Sequence, residues 1–130
     1  MKKFDGTCII DDDAIAIFGL KGAMQALGFV EDIIVFENGL DALEDFEEKM
    51  QNGAKLPSLL FIDLNMPVLD GWGFLEEFYK LRQREESMPT IYIMTSSIDQ
   101  KDMERAKTYN LEHNYLEKPI YAEVLERILA

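Results

Sequence analysis

"TCIIDDDAIAIF", residues 7–18, is an apolar, β-branched run that ends abruptly in three consecutive aspartates. Its first four residues read as a buried strand, because a short apolar run closed by polar residues suits a strand covered on both faces. Ile17, Leu20, Met24 and Leu27 then recur at helical spacing, and Gly28 supplies a stop. The same alternation continues along the chain. Strands are expected at "IIVF" (33–36), "LLFI" (59–62), "TIYIMT" (90–95) and "NYL" (114–116). A second helix is expected from Leu40, Leu43, Phe46 and Met50, with Gly53 beyond it. A third runs from about Gly71 to Arg82 on Phe74, Leu75, Phe78 and Leu81. A fourth starts at an Asp99 N-cap and reaches about Tyr109, with Asn110 as its expected C-cap. The last helix carries Ile120, Val124, Leu125, Ile128 and Leu129.

Strand and helix alternate five times, and strands apolar on both faces belong to a parallel sheet covered on each side. The fold class is therefore α/β: a doubly wound five-stranded parallel sheet with helices on both faces, in the flavodoxin-like order 2-1-3-4-5. At 130 residues with 48% apolar content, the chain is expected to form one domain over 1–130. There is no internal repeat and no linker-like stretch.

Twenty-five acidic residues against 13 basic give a formal net charge of -12, which repels phosphate backbones and anionic lipid. Neither nucleic acid nor a membrane is an expected partner. Most of the acidity, such as "EDFEEK" (44–49) and "REE" (84–86), reads as solvated surface. Cys8 is the only cysteine, so no intramolecular disulfide can form; a small buried hydrophobe in a reducing cytoplasm is expected. The N-terminal "MKKFDG" has no export signal, and no apolar run is long enough to span a bilayer.

In an open parallel sheet, ligands bind outside the carboxyl ends of the strands. Those ends bring Asp11 and Asp12 after the first strand, Asp63 after the third, Thr95, Ser96 and Ser97 after the fourth, and Lys118 just beyond the fifth. The second strand ends in "FENG", where Asn38 and Gly39 read as a turn into a helix and offer no ligand. Two carboxylates about 4 Å apart repel by about 1 kcal/mol in water and about 4 at an effective dielectric near 20, so a cation is expected among the acids. Hard oxygen donors with room for water and phosphate oxygens suit Mg²⁺. One cysteine and one histidine, Cys8 and His113, exclude a zinc site. A cation, a lysine and a hydroxyl around one carboxylate are the groups that stabilise a transferring phosphoryl group. Asp63 is then the nucleophile, ionised at pH 7 without a general base.

Four segments, "IIDDDAI" (9–15), "LLFIDLNMPVLDGWGFL" (59–75), "IYIMTSS" (91–97) and "NYLEKPI" (114–120), make the sequence resemble the receiver domain of two-component response regulators, of the stand-alone, chemotaxis-regulator-like kind. The resemblance covers nearly the whole chain. It implies Mg²⁺-dependent transfer of a phosphoryl group from a histidine kinase or phosphotransfer protein onto Asp63, followed by slow self-hydrolysis. It also implies a signalling protein rather than an enzyme, acting in the cytoplasm. By the same resemblance Asp12 is a direct metal ligand, Asp11 a partner acting through water, and Asn65 a ligand through its backbone carbonyl. Lys118 pairs with the phosphoryl group, and Thr95 offers its hydroxyl and draws inward on phosphorylation. Tyr115 is the aromatic switch residue, with a static aromatic as its alternative, and the side chains of Asn65 and Ser97 tune phosphate lifetime. Output is expected through the face of the fourth helix, fifth strand and fifth helix, toward a downstream protein the sequence does not identify. Because the chain stops at Ala130, soon after the last helix, docking is the expected mode of output.

The bond before Pro119 is implied to be cis by resemblance alone. The junction "AKTYNLEHNYLEKP" (106–119) departs from the family in lacking a small Gly-Ala pair and running one residue longer. Asp13, beyond the usual acidic pair, is assigned to the N-cap of the first helix. His113 is expected in a solvated loop, and Trp72 is expected to pack. Two other functions remain open: a receiver-shaped binding module that works without phosphate, and a Mg²⁺-dependent phosphohydrolase. The haloacid-dehalogenase type of the latter wants a second carboxylate where this chain has Asn65.

Overall fold

In the computed structural model, which describes residues 4–29, 33–82 and 88–129, five short apolar runs pair side by side as parallel strands. They are β1 (Thr7–Ile10), β2 (Ile33–Phe36), β3 (Leu59–Asp63), β4 (Thr90–Thr95) and β5 (Tyr115–Glu117), in the order β2-β1-β3-β4-β5. The helices are α1 (Ala14–Ala26), α2 (Gly39–Gln51), α3 (Gly71–Leu81), α4 (Gln100–Lys107) and α5 (Ala122–Ile128). The register sets Ile10 beside Ile62 and Asp63 beside Met94, so the carboxyl ends of β1, β3 and β4 lie level.

Alternation within the strands sends side chains into two cores. Cys8, Ile10, Leu60, Ile62 and Ile93 pack beneath α2, α3 and α4, where Phe46, Phe74 and Phe78 form an aromatic cluster. Ile9, Leu59, Phe61 and Met94 pack against α1 and α5 through Leu20, Met24, Leu125 and Leu129. Central β3 is buried throughout, as a strand covered on both faces must be, whereas β2 forms an edge and stays half exposed. Buried Cys8 keeps its thiol far above the ordinary cysteine range, mainly through desolvation.

Polar side chains close the starts of α1 to α4, whereas α5 begins at Tyr121 without a side-chain cap. Asp13 accepts from the amides of Ile15 and Ala16, Asn38 from Asp41, Asp70 from Gly73, and Asp99 from Lys101 and Asp102. Gly28 and Gly53 take positive φ of 89° and 70° where α1 and α2 stop. The Lys118–Pro119 bond is cis. The side chain of His113 is 92% exposed, and Trp72 is buried.

Three sequence expectations need correction. Leu40 does not face the core; it is 42% exposed, because Gly39, Ala42, Leu43 and Phe46 form the inward stripe of α2. Gly39 takes that position because its amide bonds the Leu69 carbonyl at 3.1 Å, an approach a larger residue would obstruct. β5 begins at Tyr115 rather than Asn114, although the Asn114 carbonyl still accepts from Ile93 at 2.8 Å and its side chain donates to Ile91 at 3.0 Å. Asn110 is not the C-cap of α4. Thr108 is, and Asn110 adopts φ 58° in the turn beyond, from which Leu111 bonds back to Ala106 at 2.9 Å. The charged stretch at 84–86 lies outside the described residues. Among those described, no helix is long and apolar enough to cross a membrane.

Candidate functional site at the carboxyl edge

Asp11 follows β1 directly and Asp63 is the last residue of β3, so adjacent parallel strands deliver both carboxylates to one edge. Both are buried, at 0% and 4% exposure, whereas Asp12 is exposed. Carboxylate oxygens of Asp11, Asp12 and Asp63 lie within 4.8 Å of one another. Lys118, on the loop after β5, reaches Asp11 Oδ2 at 2.6 Å and Asp63 Oδ1 at 3.2 Å. The amide of Asp13 donates to Asp11 Oδ1 at 2.9 Å, so the residue that caps α1 also orients the buried acid before it.

The electrostatics follow from burial and charge count. Desolvation pushes Asp63 up to about 6, the charge of Asp11 adds to the rise, and Lys118 and the Asn65 amide oppose it. At pH 7 such a carboxyl is still mostly ionised. Desolvation alone would pull Lys118 down, but its contacts with Asp11 and Asp63 outweigh burial and hold it above the ordinary lysine value. Three acids against one lysine leave a net negative cluster. Its hard oxygen donors, two of them buried, fit a small divalent cation better than a second ammonium group.

Thr95 is buried at the end of β4, and its hydroxyl donates to the Ser97 carbonyl at 2.8 Å instead of contacting the acids. Ser97 and Asn65 are exposed at the rim. Tyr115 is half-buried, with its hydroxyl inside and without a well-formed hydrogen bond. Its pKa is raised, first by burial and next by the charge of Asp102, against a smaller opposing contribution from Thr95. The edge thus brings together Asp11, Asp12, Asp63 and Lys118, and holds Thr95 and Tyr115 on the neighbouring β4–α4 side.

Sequence reasoning missed three features. A Cβ on Gly71 would lie 2.6 Å from the Asp63 carbonyl oxygen, so glycine is what lets α3 start against the site. Ile15 and Phe18 on α1 are 84% and 81% exposed, because the inward stripe of α1, with Leu20 and Met24 buried, leaves them turned to solvent. The Trp72 indole bonds Asp102, a pairing across 30 residues that no local pattern announces.

Comparison with known proteins agrees with this geometry. The family profile described as the response regulator receiver domain matches residues 7–130. A probable methanogenesis regulatory protein, FilR2 of Methanothrix harundinacea, is 29% identical over 119 residues, covering 92% of this chain and 75% of that protein. The sensor histidine kinase CheAY of Helicobacter pylori is 28% identical over 120 residues, covering 92% of this chain but only 14% of that protein. A two-component response regulator from Cytophaga hutchinsonii superposes with a TM-score of 0.84 at 28% identity, covering 98% of this chain and 95% of that one. This chain therefore belongs to the response regulator receiver domain family of two-component signalling.

Proposed function

We propose that residues 1–130 act as one phosphoacceptor switch, in which Asp63 receives a phosphoryl group from the histidine of a kinase or phosphotransfer protein. The observation that carries this reading is a buried carboxylate at a strand end, 3.2 Å from an ammonium group and clustered with two further acids. In the transfer an Asp63 oxygen bonds to phosphorus as the phosphorus–nitrogen bond to the donor imidazole breaks, and the imidazole keeps that electron pair. Lys118 neutralises charge on the phosphoryl oxygens, and the Thr95 hydroxyl leaves Ser97 to bond one of them. Asp11, Asp12, Asp63 and the Asn65 carbonyl would hold Mg²⁺, which when bound supplies charge neutralisation on the same oxygens. Asn65 and Ser97 flank the water approach and set how long the phosphate survives.

A donor histidine must come within bonding distance of Asp63, so the surface around it covers the start of α1. Exposed Ile15, lining a groove of about 670 Å³ between α1 and Pro119–Tyr121, and exposed Phe18 on the same helix suit an apolar helix face of that donor. Output passes through α4, β5 and α5, with Thr95 and Tyr115 as the moving groups, to a protein target. A cytoplasmic setting fits the donor and the free thiol.

The test is incubation with Mg²⁺ and acetyl phosphate, then with a phosphorylated donor histidine, followed by intact mass of the wild type and Asp63→Ala. The wild type is expected to gain one phosphoryl group and the variant none. A wild type unmodified by either donor would favour a phosphate-independent binding module, and rapid turnover of unrelated phosphoesters would favour a hydrolase.

A further inference from the structure

α4 is joined to the rest of the fold differently from α3. Its sequence, QKDMERAK, buries one side chain, Ala106, whereas α3 buries Gly71, Trp72, Phe74, Leu75 and Phe78. Burial of a single methyl group is a weak attachment for a helix of this length. Polar and aromatic contacts to α3 take its place. The Trp72 Nε1–H donates to Asp102 Oδ1 at 3.0 Å, and the Arg105 guanidinium lies 5.1 Å from the indole centroid. Tyr109, just past α4, stacks on Trp72 at 6.1 Å, and the Tyr79 hydroxyl donates to the Tyr109 carbonyl at 3.3 Å.

Both ends of this contact lead to the site. Trp72 follows Gly71, where a Cβ would lie 2.6 Å from the Asp63 carbonyl oxygen and whose amide donates to the Leu64 carbonyl at 3.0 Å. The charge of Asp102 helps raise the pKa of Tyr115, whose hydroxyl oxygen is buried without a well-formed hydrogen bond. Any displacement of α4 must therefore change what Trp72 touches and what surrounds Tyr115.

We propose that Trp72 and Asp102 form a latch that pins α4 to the rigid α3, and that phosphorylation of Asp63 moves α4 by opening this contact. The latch itself stands on geometry; its link to phosphate rests on the phosphoacceptor reading. Trp72 is then a positioning residue that acts through Asp102 and Arg105. As the chain's only tryptophan, it also reports on the latch by its own emission.

The latch is tested on the unphosphorylated protein by amide hydrogen exchange. Trp72→Phe keeps a ring and removes the N–H; Asp102→Ala removes the acceptor from a half-buried position and keeps the test usable if the first variant loosens the core. Both are expected to speed exchange in residues 100–107 about tenfold, as loss of a charge-assisted hydrogen bond should, while β1 and β3 stay protected. Unchanged exchange across α4 in both variants would overturn the latch. The link is tested with Mg²⁺ and acetyl phosphate, with mass and Trp72 emission followed together: emission should shift to the red as phosphate is incorporated. Phosphorylated protein with unaltered emission would overturn the link. Wild type that takes up no phosphate from any donor would count against the phosphoacceptor reading, and exchange alone would still decide whether the latch holds α4.

Discussion

α3 and α4 are neighbours on the same face of the sheet, yet they are held by different physics. α3 is anchored by large apolar side chains in a close-packed core, and Phe46, Phe74 and Phe78 interlock beneath it. α4 buries one methyl group and is otherwise held by an indole hydrogen bond, a guanidinium on a ring, and the contacts of Tyr109 and buried Leu111 just past its end. Burying aromatic area contributes several kcal/mol per residue, and a partly exposed polar contact contributes about one. On the phosphoacceptor reading proposed above, a phosphoryl group at Asp63 would shift the weakly held second helix before the first. The difference teaches where motion is affordable in this fold.

The largest effect is expected from Phe78→Ala. This should destabilise the whole protein by about 3–5 kcal/mol, read as a lowered urea midpoint with an unchanged slope. A purely local loss around α3 would erase the contrast between the two helices.

The edge between them should show the opposite sign. Asp63 in the folded protein holds its proton up to about pH 6, above the value of about 3.9 for an unfolded aspartate. The folded state therefore binds that proton more tightly, and this contribution to stability is present below about pH 4 and lost as pH rises toward 6. Without divalent ion, Asp63→Asn should be more stable than wild type at pH 7 by about 2 kcal/mol, with the gap closing toward pH 4. Urea denaturation in chelator across that range measures it. Lys118 remains paired with Asp11 in the variant, at 2.6 Å in the wild-type structure, so no buried cation is orphaned.

The smallest effect separates the helices most finely. Asp70 caps α3 by accepting from Gly73 at 2.8 Å, and Asp99 caps α4 by accepting from Lys101 at 2.7 Å. Asp70→Ala and Asp99→Ala should each remove about 1 kcal/mol. In α3 that loss should appear in global unfolding; in α4 it should appear as faster amide exchange over 100–107 with little change in the urea midpoint. Equal global losses from the two variants would mean that α4 is as firmly built in as α3.

Much of the fold was legible because its signals are local. The apolar runs at 7–10, 59–62 and 90–95, the caps Asp13 and Asp99, and the stops at Gly28 and Gly53 each depend on a few adjacent residues. The cluster of Asp11, Asp12, Asp63 and Lys118 was legible for a related reason: strand ends in a parallel sheet share an edge, so four local assignments imply one meeting point. Leu40 went wrong where local periodicity yielded to the close approach of Gly39, whereas Asn110 takes the left-handed turn its residue type favours and only lies two residues beyond the Thr108 cap. The hold on α4 could not be read at all, since Trp72 and Asp102 are 30 residues apart and neither belongs to a pattern that demands the other.

Chemical trapping at residue 63 probes the phosphoacceptor assignment without any partner-specific assay. Borohydride reduces an aspartyl phosphate to homoserine, which peptide mass spectrometry locates to a single position. After Mg²⁺ and a phosphodonor, homoserine is expected at 63 and nowhere else, and it should be absent when the ion is chelated. Homoserine at Asp11 or Asp12, or an unmodified residue 63 in protein that has gained a phosphoryl group, would contradict Asp63 as the acceptor.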